Sequence, residues 1–96
     1  MNYWVYIMGS ENGRAVYIGF TNNLRRRVAE HKEGIIEGFS KRYRCHKLLY
    51  YESFHDVTQA ILREKQLKGW VRRKKEALIA TLNPERRDLA ENMNWI

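Results

Sequence analysis

Five side chains in this sequence have the types and spacing for chemistry on a phosphate: Tyr6, Tyr17, Arg27, His31 and Glu64. Glu64 is the most informative. It follows Ile61 by three residues and Val57 by seven, inside an apolar stripe that continues to Leu67 and Val71. A carboxylate at helical spacing in such a stripe either borders the buried face or points into a cleft. As a border residue it pairs with Lys65 or Lys68 along the same helix. As a cleft residue it holds a hard divalent ion, Mg²⁺ or Mn²⁺, together with water and substrate phosphate.

Arg27 shares the side of Leu24, Val28 and His31, whereas Arg25 does not. An arginine on a buried side needs a carboxylate or phosphate partner, and its planar fork grips two phosphate oxygens. His31, one turn on, donates to phosphate, moves a proton, or finishes the helix with a hydrogen bond. Tyr6 and Tyr17 lie in neighbouring predicted strands, so both hydroxyls reach one face if the register permits. The ordinary alternative is that their rings pack and their hydroxyls meet water. A phenol with a pKa of about 10 is a poor base by itself, so Tyr6 needs help from a metal, from Arg27 or from a neighbouring base.

Two basic runs, Lys41-Arg42-Tyr43-Arg44-Cys45-His46 and Arg72-Arg73-Lys74-Lys75, suit contact with a nucleic-acid backbone, with Tyr43 offering a ring for stacking. Either run also serves as an ordinary solvated face. Arg25 and Arg26 add charge beside Arg27.

The elements that must position these residues are marked by their ends. Tyr3 to Met8 is aromatic and β-branched enough for a strand. Gly9, Ser10, Asn12 and Gly13 supply a turn, and Ala15 to Ile18 reads as a second strand ended by Gly19. Thr21 or Asn22 caps a helix to about Lys32, with Gly34 as its stop. A loop from Gly34 to about His46 leads to a third strand, Lys47 to Glu52. Asp56 and Gln59 have capping-box spacing for a helix carrying Val57, Ala60, Ile61, Leu67, Trp70 and Val71 on one side. The charged stretch 72–76 continues that helix or bends into another, which Asn83-Pro84 ends. Leu89, Met93 and Trp95 are available to dock the tail. The expected class is α/β (α+β), a small three-stranded antiparallel sheet flanked by helices. Residues 1–96 form one domain, with 85–96 a C-terminal tail packing on it. With so few helices, one sheet face is expected to stay open and host the site.

Eighteen Lys and Arg against 11 Asp and Glu give a charge of +7, and hydrophobic residues make up 44%. A folded basic chain favours an anionic partner, nucleic acid ahead of membrane or acidic protein. Cys45 is the only cysteine, which excludes an intrachain disulfide and, without a Cys/His cluster, structural zinc. No stretch approaches the roughly 20 apolar residues of a membrane span, and the start lacks a leader pattern. A reducing, cytoplasmic location with no membrane partner is the default expectation.

Taken in order, Trp4-Val5-Tyr6, Tyr17-Ile18-Gly19, Thr21-Asn22-Asn23-Leu24, Arg27, His31, Glu64 and Asn83-Pro84 resemble the GIY-YIG nuclease superfamily, specifically its small stand-alone bacterial members. The resemblance covers nearly the whole chain. It implies a divalent-metal-dependent endonuclease, on DNA first and RNA second. It implies that Tyr6 helps activate the hydrolytic water, Tyr17 orients the site or the phosphate, and Arg27 stabilises the transition state. His31 would assist near the reacting phosphate and Glu64 would anchor one metal. Gly19 and Asn83 would support the site, while Arg25, Arg26, Lys41, Arg42, Arg44, Arg72 and Arg73 would contact nucleic acid.

The chain also departs from the family pattern. Trp4-Val5 replaces the Gly-Ile of the first triplet. Phe20 stands where a small or polar residue is common and is expected to narrow access. Arg86 stands where close relatives often have tryptophan, so the tail is expected to dock differently. With no targeting domain expected in 96 residues, specificity would come from structured or damaged DNA, a homodimer or a protein partner. The competing reading is a nucleic-acid-binding domain of the same fold with weak or no catalysis. A protein-interaction adaptor comes third, because the sequence locates no large exposed apolar patch.

Overall fold

The computed structural model describes residues 1–91. In chain order the elements are β1 (Tyr3–Ser10), β2 (Val16–Thr21), α1 (Leu24–Glu33), α2 (Phe39–Arg42), β3 (Cys45–Phe54), α3 (Val57–Lys68) and α4 (Arg72–Leu82). The strands form one antiparallel sheet in the order β2-β1-β3, which places Tyr6 on the central strand. The expected α+β class holds.

Local chemistry sets the ends of these elements. In the β1–β2 turn, Ser10 Oγ accepts the Ala15 N–H at 3.0 Å and donates to Asn12 Oδ1 at 2.7 Å. Gly13 supplies the φ of 74° that the reversal needs. β2 continues to Thr21 instead of stopping at Gly19, because Gly19 has a ladder partner in Tyr6. The cap of α1 is Asn23 rather than Thr21 or Asn22: its Oδ1 accepts the Arg26 N–H at 3.0 Å. Thr21 is one step removed, accepting the Asn23 N–H at 3.0 Å. Gly34, at φ 74°, closes the helix in the left-handed conformation.

Two hydrophobic clusters cover the two faces of the sheet. Val5, Ile7, Ile18, Leu49 and Tyr50 meet Ala60 and Leu67 of α3 and Ile79 of α4. On the other face, Tyr6, Met8 and Leu48 meet Leu24 and Val28 of α1, with Leu89 and Ala90 of the tail beside them. Leu49 and Tyr50 share a face despite being consecutive, because the β1–β3 register shifts between Ile7 and Met8. Both faces are therefore closed, contrary to the expectation of one open face; the tail supplies the missing cover. Among the described residues, no helix is long and apolar enough to cross a membrane.

α3 stops at Lys68, and α4 is a separate helix. The stripe drawn through Val57 and Val71 is broken accordingly: these two are 38% and 60% exposed, and Ala60 and Leu67 carry the contact. Beyond α4, Asn83 donates to the carbonyls of Leu49 (3.1 Å) and Arg87 (2.7 Å) and accepts the Arg87 N–H at 3.0 Å. Arg86 pairs with Glu76, which also holds Arg72. Met93 and Trp95 lie outside the described residues.

Asp88 fastens the tail. Its Oδ1 accepts the N–H groups of Leu48 and Ala90 at 3.0 Å each, and its Oδ2 pairs with Lys32. Burial pushes the Asp88 pKa up, but Lys32 and the two amides outweigh it and hold the carboxyl below its ordinary range. Asp88→Ala is expected to cost roughly 1–3 kcal/mol at neutral pH, measured as a lower denaturation midpoint. A depressed carboxyl stabilises above its unfolded pKa and loses that contribution as pH falls through the folded value. The gap between wild type and variant should therefore close in acid. A gap that persists there would mean that packing, not charge, holds the tail.

Candidate active site

Register brings the tyrosines together. Tyr6 faces Gly19 and Met8 faces Tyr17 across β1 and β2. Positions 6, 8, 17 and 19 thus share one face, and the Tyr6 and Tyr17 rings lie 6.4 Å apart. His31 of α1 completes a three-ring cluster, 5.5 Å from Tyr6 and 5.2 Å from Tyr17. Tyr6 Oη lies 2.9 Å from His31 Nε2, and His31 Nδ1 lies 2.6 Å from Ser40 Oγ. Tyr6, His31 and Ser40 are buried, while Tyr17 is half-buried.

Gly19 makes this arrangement sterically possible. A Cβ there would stand 2.3 Å from Tyr6 Oη and 2.4 Å from its Cζ. Phe20 does not narrow access to the cluster as expected, because strand alternation turns it to the opposite face. There it stacks on Tyr3 at 5.9 Å and 11°.

Burial raises the Tyr6 pKa above its ordinary value; Tyr17 and Glu64 add to the rise and Arg27 opposes it. Tyr6 is therefore a phenol at neutral pH. Burial lowers the His31 pKa to about 4, with the Arg27 charge acting in the same direction and Glu30 against it. His31 is therefore a neutral imidazole, with one unprotonated ring nitrogen that accepts a hydrogen bond.

Arg27 is half-buried, with Nε 3.1 Å from Glu30 Oε1. Glu64 belongs to α3, which packs on the opposite face of the sheet, yet its charge reaches the Tyr6 hydroxyl. Lys68, one helical turn beyond Glu64, reaches the β2 edge. There an open groove is lined by Tyr17 with Phe39, Lys68 and Lys75. Glu64 Oε2 lies 3.3 Å from Lys68 Nζ, so the expected border pairing is present. The Lys68 side chain is 52% exposed, and pairs of that kind are weak and screened by salt.

Among the described residues, no group of three His, Cys, Asp or Glu is placed to hold a metal ion. A single hard carboxylate paired with Lys68, itself a groove residue, still suits Mg²⁺, which keeps several waters and takes substrate phosphate oxygens. The donor chemistry at Glu64 fits the ion.

The remaining expected residues divide. Arg25 and Arg26 are exposed on the first turn of α1, and Arg44 and Arg73 are exposed as well. Lys41 pairs with Glu37 at 3.1 Å, and Arg42 lies over the Tyr43 ring. Arg72 is exposed but engaged within the fold. Its guanidinium donates to the carbonyls of Arg14 (2.8 Å) and Gly13 (2.6 Å) and to Glu76 (2.7 Å), so it braces the β1–β2 turn. Asn83 directs its amide to the backbone of β3 and the tail, so its support goes to the fold. Ser40, Lys68 and Lys75 were not singled out as site residues from sequence. Lys68 follows Glu64 by one helical turn, a usable signal. Ser40 carries none, because only the return of the chain through α2 brings it to His31.

Residues 2–77, which span this sheet and the ring cluster, match the family model described as the GIY-YIG catalytic domain. The chain belongs to the GIY-YIG family, a nuclease superfamily. Its similarity is to small stand-alone proteins of the UPF0213 group. A UPF0213 protein of Clostridium perfringens is 31% identical over 94 residues, covering 98% of this chain and 99% of that protein. One from Bacillus pumilus is 29% identical over 85 residues, covering 88% and 86%. The solution NMR structure of a UPF0213 protein from Bacillus halodurans aligns with a TM-score of 0.58 at 28% identity, covering 88% and 89%.

Proposed function

We propose that this protein is a divalent-metal-dependent endonuclease that hydrolyses phosphodiester bonds, with DNA as its main substrate. The observation that carries this reading is the buried Tyr6–His31–Ser40 hydrogen-bonded chain on which both Arg27 and Glu64 act. With its proton directed to His31 Nε2, the Tyr6 hydroxyl keeps lone pairs for a water. That water gives a proton to Tyr6 Oη as Tyr6 passes its own to His31. The freed electron pair of the water forms the new P–O bond, and the P–O bond to the leaving strand breaks, its electron pair staying on the strand's oxygen, which takes a proton from solvent. His31 ends as an imidazolium whose Nδ1–H is held by Ser40 Oγ. A bound phosphate raises the low basicity of His31 by its negative charge, so the acceptor becomes competent when substrate arrives. Arg27 offsets charge on the crowded phosphorus centre, and the Tyr17 hydroxyl orients a phosphate oxygen. A divalent ion on Glu64 would supply Lewis-acid neutralisation of the phosphate.

The test is cleavage of linear, branched and single-stranded DNA and RNA with Mg²⁺, with Mn²⁺ and with EDTA. Cleavage is expected to require metal. Glu64→Gln is expected to raise the Mg²⁺ concentration for half-maximal rate by about 10- to 100-fold. Binding without cleavage under every metal condition would favour the binding-domain reading, for which the Glu64–Lys68 pair is the supporting observation. Unchanged metal dependence in Glu64→Gln would remove Glu64 from the metal.

A further inference from the structure

Phe39 at the start of α2 and Tyr43 at its C-cap are two aromatic rings that the core does not use. Phe39 and Tyr43 are each 47% exposed. Their centroids lie 4.6 Å apart at 42°, and the Arg42 guanidinium lies 5.6 Å from the Tyr43 centroid. Hydrophobic burial alone would not leave a ring pair half in water.

Their position gives the pair a use. Phe39 lines the groove that holds Tyr17, Lys68 and Lys75. Phe39 and Tyr43 together line the adjoining hollow, with Asn12 and Arg14. Ser40, which holds His31, stands between the two rings in the chain. Phe39 thus belongs both to the groove at Tyr17 and to the hollow at Tyr43, with Lys68 and Lys75 lining the first and Arg14 the second.

Ring faces between cations suit a strand whose phosphates meet Lys or Arg while a base lies on the ring. A continuous duplex keeps its bases stacked on one another and offers no face to these rings. We propose that Phe39 and Tyr43 form a stacking platform for an unpaired base next to the phosphate held at Tyr17, so that the substrate class is nucleic acid with unpaired nucleotides rather than continuous duplex. The location of the cut rests on the nuclease reading; the platform rests on its own geometry.

The test measures binding in EDTA by fluorescence anisotropy, without cleavage. The probes are a short single-stranded DNA oligonucleotide, its duplex, and the same strand with abasic positions. Phe39→Leu and Tyr43→Leu are each expected to weaken binding of the intact single strand by about 5- to 150-fold, as loss of one base–aromatic stack does. Duplex and abasic binding should hardly change. Tyr43→Trp should keep or strengthen single-strand binding, which separates ring chemistry from a folding defect. Equal weakening on all three probes, or none on any, would overturn the platform. Failure to cut any substrate, with the selective loss intact, would leave the platform standing and remove the nuclease reading.

Discussion

Gly19→Ala is expected to abolish cleavage and lower the melting temperature, although it adds a single methyl group. The new carbon would lie 2.3 Å from Tyr6 Oη, 2.4 Å from Cζ and 2.9 Å from Cε1, all inside van der Waals contact. Gly19 and Tyr6 are ladder partners, so the clash is relieved only by moving the Tyr6 ring or by pulling β2 away from β1. Either movement breaks the 2.9 Å contact with His31. Overpacking of this kind costs about 1–3 kcal/mol, and loss of positioned proton transfer costs about 100-fold or more in rate. A double-mutant cycle with Tyr6→Leu isolates the cause. Leucine lacks the hydroxyl and Cζ that the methyl strikes, so Gly19→Ala should add under about 0.5 kcal/mol in that background. A full cost in both backgrounds would place the strain in β2 itself. Full activity in Gly19→Ala would sink the steric account.

That glycine also shows how far the sequence could be read. From composition it marks a strand end, whereas the register makes it the floor beneath Tyr6. Candidate site residues stood out where chemistry interrupts periodicity: Arg27 and His31 on the apolar side of α1, and Glu64 on α3. Helix ends were legible from Asp56, Gly34 and Asn83-Pro84, because caps are local. Closure of both sheet faces was not, since Leu89 and Ala90 cover the second face without any period. The phase of α3 cannot be carried to Val71, because the helix stops before it. The bulge that places Leu49 beside Tyr50 depends on pairing with β1. The bracing role of Arg72 was not legible, because its partners, the carbonyls of Gly13 and Arg14, are distant in sequence. Ser40 was hidden for the same reason: its value comes from His31, brought close only by tertiary structure.

Tyr6→Phe is expected to lower kcat by about 10²- to 10⁴-fold, the range for a lost proton-transfer group, with KM nearly unchanged. The ring that packs between β2 and α1 is retained; only the hydroxyl facing His31 is lost. His31 Nε2 is then buried without its partner, a destabilisation of roughly 1–3 kcal/mol. Ser40→Ala should give a smaller fall in kcat, because His31 remains but its Nδ1 loses the oxygen 2.6 Å away. The electrostatic half of the argument has its own readout. An NMR titration of the His31 ring is expected to centre at about 4, held down by burial and then by Arg27. Arg27→Met should move that midpoint toward the ordinary 6.5. In the unfolded chain His31 takes a proton below about 6.5, while in the fold it waits until about 4. The unfolded state therefore binds more protons across that window, and stability falls as pH drops through it. His31→Gln should remove that part of the acid sensitivity. A midpoint near 6.5 in wild type would mean that His31 is not held neutral, and full activity in Tyr6→Phe would take the proton path away from Tyr6.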